Sequence, residues 1–137
     1  MPKRIFIDTS AFLALEDESD ERHEEAIRFR ERELLAGSYE IITTSYILDE
    51  TLTLIRNRLG IQASIDFSRK IRRSRIVRVI SVSKEIEEKA LDLFERYDDK
   101  NFSFTDCVSF VVMQDMGIQD AFTFDKHFVQ IGLFRTP

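Results

Sequence analysis

Short apolar runs alternate with helix-patterned segments along this whole chain, and that alternation leaves few architectures open. Lys3–Ile7 ends in Ile5-Phe6-Ile7 with no polar alternation, the pattern of a strand buried on both faces. Tyr39–Thr44, Ile76–Val82 and Ala121–Phe124 read as further strands, and Gly132–Arg135 as an edge strand. Helices fill the intervals. Asp8-Thr9-Ser10 caps a turn carrying Phe12, Leu13 and Leu15. A longer helix starts at Ser19 or Asp20 and stops at Gly37. Ser45 caps a helix through Arg58 with Ile47, Leu48, Leu52, Ile55 and Leu59 as its apolar stripe, ended by Gly60. Gln62–Ser74 follows, and then Lys84–Tyr97, capped by Ser83, with Ile86, Ala90, Leu91, Leu93 and Phe94 turned inward. Thr105–Met116, opened by Ser103 or Thr105 and stopped by Gly117, is apolar on several faces and is expected at the centre. Lys126–Ile131 is a last helical turn. Strands that alternate with helices need crossovers, and crossovers make parallel sheets. The expected fold is a three-layer α/β/α sandwich on a mainly parallel sheet of four to five strands.

Such a sheet has a functional edge. Ligands of open α/β sheets bind beyond the carboxyl ends of the strands. Four acids fall at junctions that lead there. Asp8 follows the first strand, Glu50 lies on the helix after the second, Asp106 opens the central helix, and Asp125 follows the fourth strand. Each has an ordinary explanation. Asp8 suits a helix cap, Glu50 a solvated helix face, and Asp106 a helix N-terminus favoured by the dipole. Together they form an oxygen-only set suited to Mg²⁺ or Mn²⁺. Metal held by carboxylates beside a phosphate is the working part of many nucleases. Asp49 lies about 100° around the helix from Glu50, so both are not expected in one site. Ser10, Thr105 and Thr123 supply hydroxyls that can orient carboxylates or water, or simply satisfy backbone.

Composition narrows the alternatives. With 137 residues, only two Pro and four Gly, residues 1–137 are expected to form a single domain. The longest apolar run falls short of a membrane span and no signal peptide is visible, so a cytoplasmic protein with no membrane role is expected. One Cys and two His exclude the usual structural zinc sets, and Cys107 reads as a buried, inert thiol. His23 and His127 read as surface or packing residues. A net charge of −5 argues against a global field that attracts nucleic acid. The basic stretch 69–78 contains Arg69, Lys70, Arg72 and Arg73. It reads first as a solvated helix face, then as a phosphate contact, or as a partner for the acids of Glu16–Glu25 on another subunit. Arg56 and Arg58 are RNA-contact candidates of similar weight. Apolar residues between Tyr46 and Phe67 are candidates for a dimer seam or a partner-binding surface.

Four strings carry a family resemblance: Phe6-Ile7-Asp8-Thr9-Ser10-Ala11-Phe12, Thr43-Thr44-Ser45 through Asp49-Glu50, Phe104-Thr105-Asp106-Cys107, and Gly117-Ile118 through Ala121-Phe122-Thr123-Phe124-Asp125-Lys126-His127-Phe128. In order and spacing the chain resembles the PIN domain, and more narrowly the VapC-type toxins of toxin–antitoxin pairs. The first and last strings are the most specific. Cys107 departs from the small residue common there. The resemblance implies an Mg²⁺- or Mn²⁺-dependent endoribonuclease, a homodimer, and a cognate antitoxin partner. It places the family's four acids on Asp8, Glu50, Asp106 and Asp125, and its small polar residue on Ser10. The other readings are a PIN-class RNA-processing nuclease and a non-catalytic Mg-binding α/β interaction domain. Crowded carboxylates are expected to raise the pKa of at least one of the four.

Overall fold

In the computed structural model, which describes residues 3–37 and 39–137, five strands form one parallel sheet in the order β3-β2-β1-β4-β5. The strands are β1 (Lys3–Ile7), β2 (Tyr39–Thr44), β3 (Val77–Ile80), β4 (Asp120–Phe122) and β5 (Phe134–Thr136). The helices are α1 (Thr9–Glu16), α2 (His23–Phe29), α3 (Ser45–Leu59), α4 (Ile61–Arg73), α5 (Lys84–Arg96), α6 (Phe104–Met116) and α7 (His127–Gln130). The predicted three-layer parallel architecture is the observed one. Right-handed crossovers leave β1 toward β2 and β3, then return across the sheet to β4 and β5, which puts α1–α4 on one face and α5–α7 on the other.

Side chains of β1 alternate between these faces, as strand geometry requires. Ile7 shares a pocket with Phe12 of α1 and with Phe67 and Ile71 of α4. Phe6 turns to the other face and meets the ring of Phe128, which packs edge-on against Phe110 of α6. Helix α6 is buried continuously from Cys107 to Met113, as its apolar sequence predicts. Gly117 closes it at φ 68°, a left-handed position that glycine adopts without strain. Gly37 serves differently. A Cβ there would stand 2.8 Å from the carbonyl oxygen of Glu33, so the close approach of backbone requires its absence.

Several local expectations change. Thr44, not Ser45, caps α3, by accepting the amide of Ile47. Ser45 accepts the amide of Val82 instead and ties α3 to the segment after β3. The helix expected from Ser19 or Asp20 begins at His23, and beyond Phe29 it widens into a π-helical turn over Arg30–Leu34. On α5, Ala90 and Leu93 are buried, whereas Leu91 and Phe94 are 48 % and 46 % exposed. One helix face is too narrow to bury all five apolar residues against α6. Leu59 is likewise exposed at the end of α3, and Thr51 is buried within the stripe. Strands β3 and β4 are shorter than predicted, and β5 begins two residues later than expected.

Phe110 is fully buried and touches the rings of both Phe102 and Phe128. Phe110→Ala is therefore expected to lower stability by about 3–5 kcal/mol, measured by urea unfolding.

Candidate active site

Strand β1 has β2 on one side and β4 on the other, and the chain departs from it in opposite directions. Beyond the carboxyl ends of β1 and β4 no crossover closes the sheet, which leaves a crevice at this switch point. Asp8 and Asp125 follow those two strands, and the amide of Asp8 still donates to Phe122 O, at 3.3 Å. The first turn of α6 brings Asp106 beside Asp125, while Asp8 lies outside the close group that Asp106, Asp125 and His127 form.

Asp8 is buried, at 5 % exposure. It caps α1 as the ordinary reading of the sequence expects, accepting the amide of Ala11 at 3.4 Å. Ser10 Oγ donates to Asp8 Oδ1 at 2.8 Å. The same hydroxyl accepts the Phe124 amide at 2.9 Å and stands 3.3 Å from Thr123 Oγ1. Thr123 in turn accepts the amide of Asp125 at 2.9 Å. Ser10 and Thr123 thus stitch the two acid-bearing loops together across the crevice. Burial pushes the Asp8 carboxyl up to about 7, against the opposing hydrogen bonds from Ser10, Thr123 and Ala11, with a smaller contribution from the charge of Asp125. The expected high-titrating acid is present. Its main cause is loss of water rather than repulsion among the acids.

Asp106 closes a capping box: its Oδ2 accepts the Ser103 amide while its own amide donates to Ser103 Oγ. The same Oδ2 lies 2.9 Å from His127 Nδ1. That nitrogen is also 3.3 Å from Asp125 Oδ1, which accepts the His127 amide. One ligand atom each from Asp106, Asp125 and His127 lies within 4.8 Å of the others. His127 was expected on the surface or in packing; the structure sets it between two of the acids. The signal was its spacing, two residues past Asp125 at the start of a helical turn. Cys107 beside Asp106 is buried, and burial followed by the Asp106 charge pushes its thiol up to about 11, consistent with an inert thiol.

Glu50 stands apart from this trio. It lines a hollow of about 450 Å³ with Tyr46, Asp49, Thr53, Leu54 and Thr105. Thr105 joins the hollow to the acids, being next to Asp106. Asp49 was not expected to share a site with Glu50, yet both line this hollow. Residues 46, 49, 50 and 53 follow the three- and four-residue spacing of one helix face, and 49 and 50 straddle its centre.

The basic stretch is at the wrong edge. Helix α4 carries the chain back to the amino end of β3, so Arg69, Lys70, Arg72 and Arg73 lie at the edge opposite the acids. Lys70 Nζ pairs with Glu16 of the same chain at 2.7 Å. Arg58 reaches Asp17 and Asp20, at 3.8 and 3.6 Å, and Arg56 lies on the same distal part of α3. The cations near the crevice are others. Lys126 follows Asp125, and the Arg22 guanidinium lies over the ring of Phe124, 5.5 Å from its centre. Both were overlooked in the sequence because each stands alone.

The donor set suits a hard divalent cation: carboxylate oxygens dominate and one imidazole nitrogen joins them. Mn²⁺ accepts such a nitrogen more readily than Mg²⁺ does.

Comparison with known proteins points the same way. The PIN domain family model matches residues 5–133. The chain is 40 % identical over 129 residues to the 23S rRNA-specific endonuclease VapC20 of Mycobacterium tuberculosis, covering 93 % of this chain and 94 % of that one. It is 28 % identical over 123 residues to a VapC ribonuclease of Archaeoglobus fulgidus, covering 89 % and 77 %. The crystal structure of VapC20, described as a sarcin-ricin loop cleaving toxin, superposes with a TM-score of 0.85 at 36 % identity over 94 % of this chain and 95 % of that one. DNA-bound VapBC from Salmonella typhimurium shares the fold, with a TM-score of 0.65 at 15 % identity over 99 % and 98 % of the two chains.

The native Asp8 carboxyl holds its proton to higher pH than the usual 3.8 of an unfolded chain. Between about pH 4 and 7 the native state therefore binds more protons than the unfolded state. Without divalent metal, stability is expected to fall as pH rises through that window, by at most about 4 kcal/mol, and to level off above it. Asp8→Asn should flatten the slope in urea titrations at several pH values.

Proposed function

This chain belongs to the PIN-domain family as a VapC-like endoribonuclease, and we propose that it hydrolyses RNA phosphodiester bonds with Mg²⁺ or Mn²⁺ held by Asp8, Asp106 and Asp125. The observation that carries this reading is the meeting of Asp106 and Asp125 at the switch point with His127 between them, beside the buried Asp8 at the end of the neighbouring strand. Bound there, the ion polarises a phosphoryl oxygen and lowers the pKa of a coordinated water. The protein does the positioning. Ser10 holds the Asp8 carboxylate by a hydrogen bond, and its contact with Thr123 spans the crevice. With a proton on Nδ1, His127 donates to Asp106 and holds that carboxylate beside Asp125; with the proton moved off, the same nitrogen is the candidate ligand. Glu50, in the adjoining hollow, orients the attacking water, and Thr105 lies between that hollow and Asp106. Lys126, and Arg22 with its exposed Glu25 pair at 3.3 Å, are the cations nearest the crevice and the candidates to meet phosphates there, ahead of the distal stretch 69–78.

Residues 1–137 act in this reading as one nuclease domain in the cytoplasm, the toxin of a toxin–antitoxin pair restrained by a cognate antitoxin. Its relative VapC20 is named for 23S rRNA, which makes ribosomal RNA the first substrate to offer. Among the described residues no helix is long and apolar enough to cross a membrane. Leu59, Ile61 and Ile65, exposed around the turn between α3 and α4, form the proposed homodimer seam. Ile61→Glu should shift sedimentation toward the monomer.

The deciding assay offers total and ribosomal RNA to purified protein with Mg²⁺, Mn²⁺ or EDTA. Metal-dependent cleavage is expected, falling at least 100-fold in Asp8→Asn and rather less in His127→Ala. Equal cleavage by wild type and Asp8→Asn, or activity that persists in EDTA, would overturn the assignment.

A further inference from the structure

The hollow beside the acids has the chemistry of a nucleobase pocket, and we infer that it reads a guanine of the RNA, with Tyr46 as the stacking face and Asp49 as the selecting group. This inference rests on the ribonuclease reading and adds a specificity-determining pair to it. Tyr46, Asp49, Glu50 and Thr53 project from one face of α3, and Thr105 on α6 forms the opposite wall. The tyrosine is anchored before anything binds: its hydroxyl donates to Glu87 of α5, which raises its pKa, and its ring lies 6.0 Å from that of Phe104. Phe94 packs edge-on against Phe104 and continues the aromatic row out to solvent.

Charge decides what such a hollow accepts. Asp49 and Glu50 line it and no Lys or Arg does, so a phosphate is repelled there. An aromatic face beside carboxylate acceptors instead fits a base that is flat, neutral and rich in donors. Bases of single-stranded RNA splay out to stack on aromatic side chains and to be read along their Watson–Crick edges. An ionised carboxylate only accepts hydrogen bonds, and its two oxygens match two adjacent donors. Guanine alone among the four bases offers such a pair, N1–H and the N2 amino group. Glu50 is assigned to the chemistry at the crevice. Asp49 has no side-chain partner among the described residues and lies more exposed on the same wall, which leaves it to meet the base. The hollow adjoins Asp106 through Thr105, so a base seated in it belongs to a nucleotide flanking the scissile phosphate.

The test measures binding apart from cleavage. Full-length Asp8→Asn protein is titrated with labelled single-stranded RNA hexamers carrying guanine or inosine at each position in turn, followed by fluorescence anisotropy. Inosine lacks only the N2 amino group. At one position guanine is expected to bind about 10-fold tighter than inosine. Adding Asp49→Ala should erase that difference, Tyr46→Leu should weaken both oligomers about 10-fold, and Tyr46→Phe, which keeps the ring and loses the Glu87 bond, should bind like its parent. Equal affinity for guanine and inosine at every position, discrimination that survives Asp49→Ala, or no binding at all would overturn the inference. Wild-type cleavage of the same oligomers separates the two readings. Cleavage without discrimination sinks the base pocket alone, and discrimination without cleavage under any metal sinks the nuclease alone.

Discussion

The crevice exists because β1 sits inside a parallel sheet whose connections leave it in one direction and come back to its other side. Neighbouring crossovers diverge there, so the ends of β1 and β4 stay uncovered while their backbones remain paired. The Ser10–Thr123 contact spans the gap and holds two acid-bearing loops in register. Asp8 is carried into a nearly dry position by a strand that is buried on both faces. Its carboxylate is costly to ionise there, and a cation is the partner that offsets the cost. Packing places the acid; solvation physics then calls for a positive ligand.

Capping and the proposed metal binding draw on the same groups. Asp8 caps α1 and Asp106 completes the capping box of α6. Each acid satisfies free helix amides with part of its hydrogen-bonding capacity and turns the rest to the crevice. The ordinary and the functional readings of these residues do not compete, because a carboxylate has two oxygens and several lone pairs. Rigid helix ends also hold the carboxylate oxygens with little loss of side-chain freedom, which suits the preorganised metal and phosphate chemistry proposed for them.

Charge is sorted between the two edges of the sheet. Lys70 and Arg58 spend their charge on Glu16, Asp17 and Asp20 at the edge remote from the acids. Near the crevice, Arg22 and Lys126 stand on the β4 side, while the α3 side offers carboxylates and aromatic rings. In the proposed reading, an RNA strand crossing the site meets Lys126 and Arg22 on one side and carboxylates with aromatic rings on the other. A net negative protein manages this because only local geometry matters within a Debye length.

Periodicity alone made the parallel α/β sheet legible, since alternating strands and helices permit few topologies, and the buried α6 followed from its unbroken apolar run. Of the four acids singled out by position and by family resemblance, Asp106 and Asp125 come together with His127, whereas Asp8 and Glu50 lie outside that group. Finer placements escaped. Thr44 took the cap from Ser45 because neighbouring hydroxyls are equivalent in sequence and only the backbone angle at the strand's end selects one. Asp49 joined Glu50 because a hollow is wider than one residue's arc on a helix. His127, Arg22 and Lys70 were settled by contacts across 21 to 102 positions in the chain: His127 with Asp106, Lys70 with Glu16 and Arg22 with Phe124. Local pattern determines which elements form and which faces are apolar. The partner of each charged side chain is a long-range contact, and only the closed tertiary structure decides it.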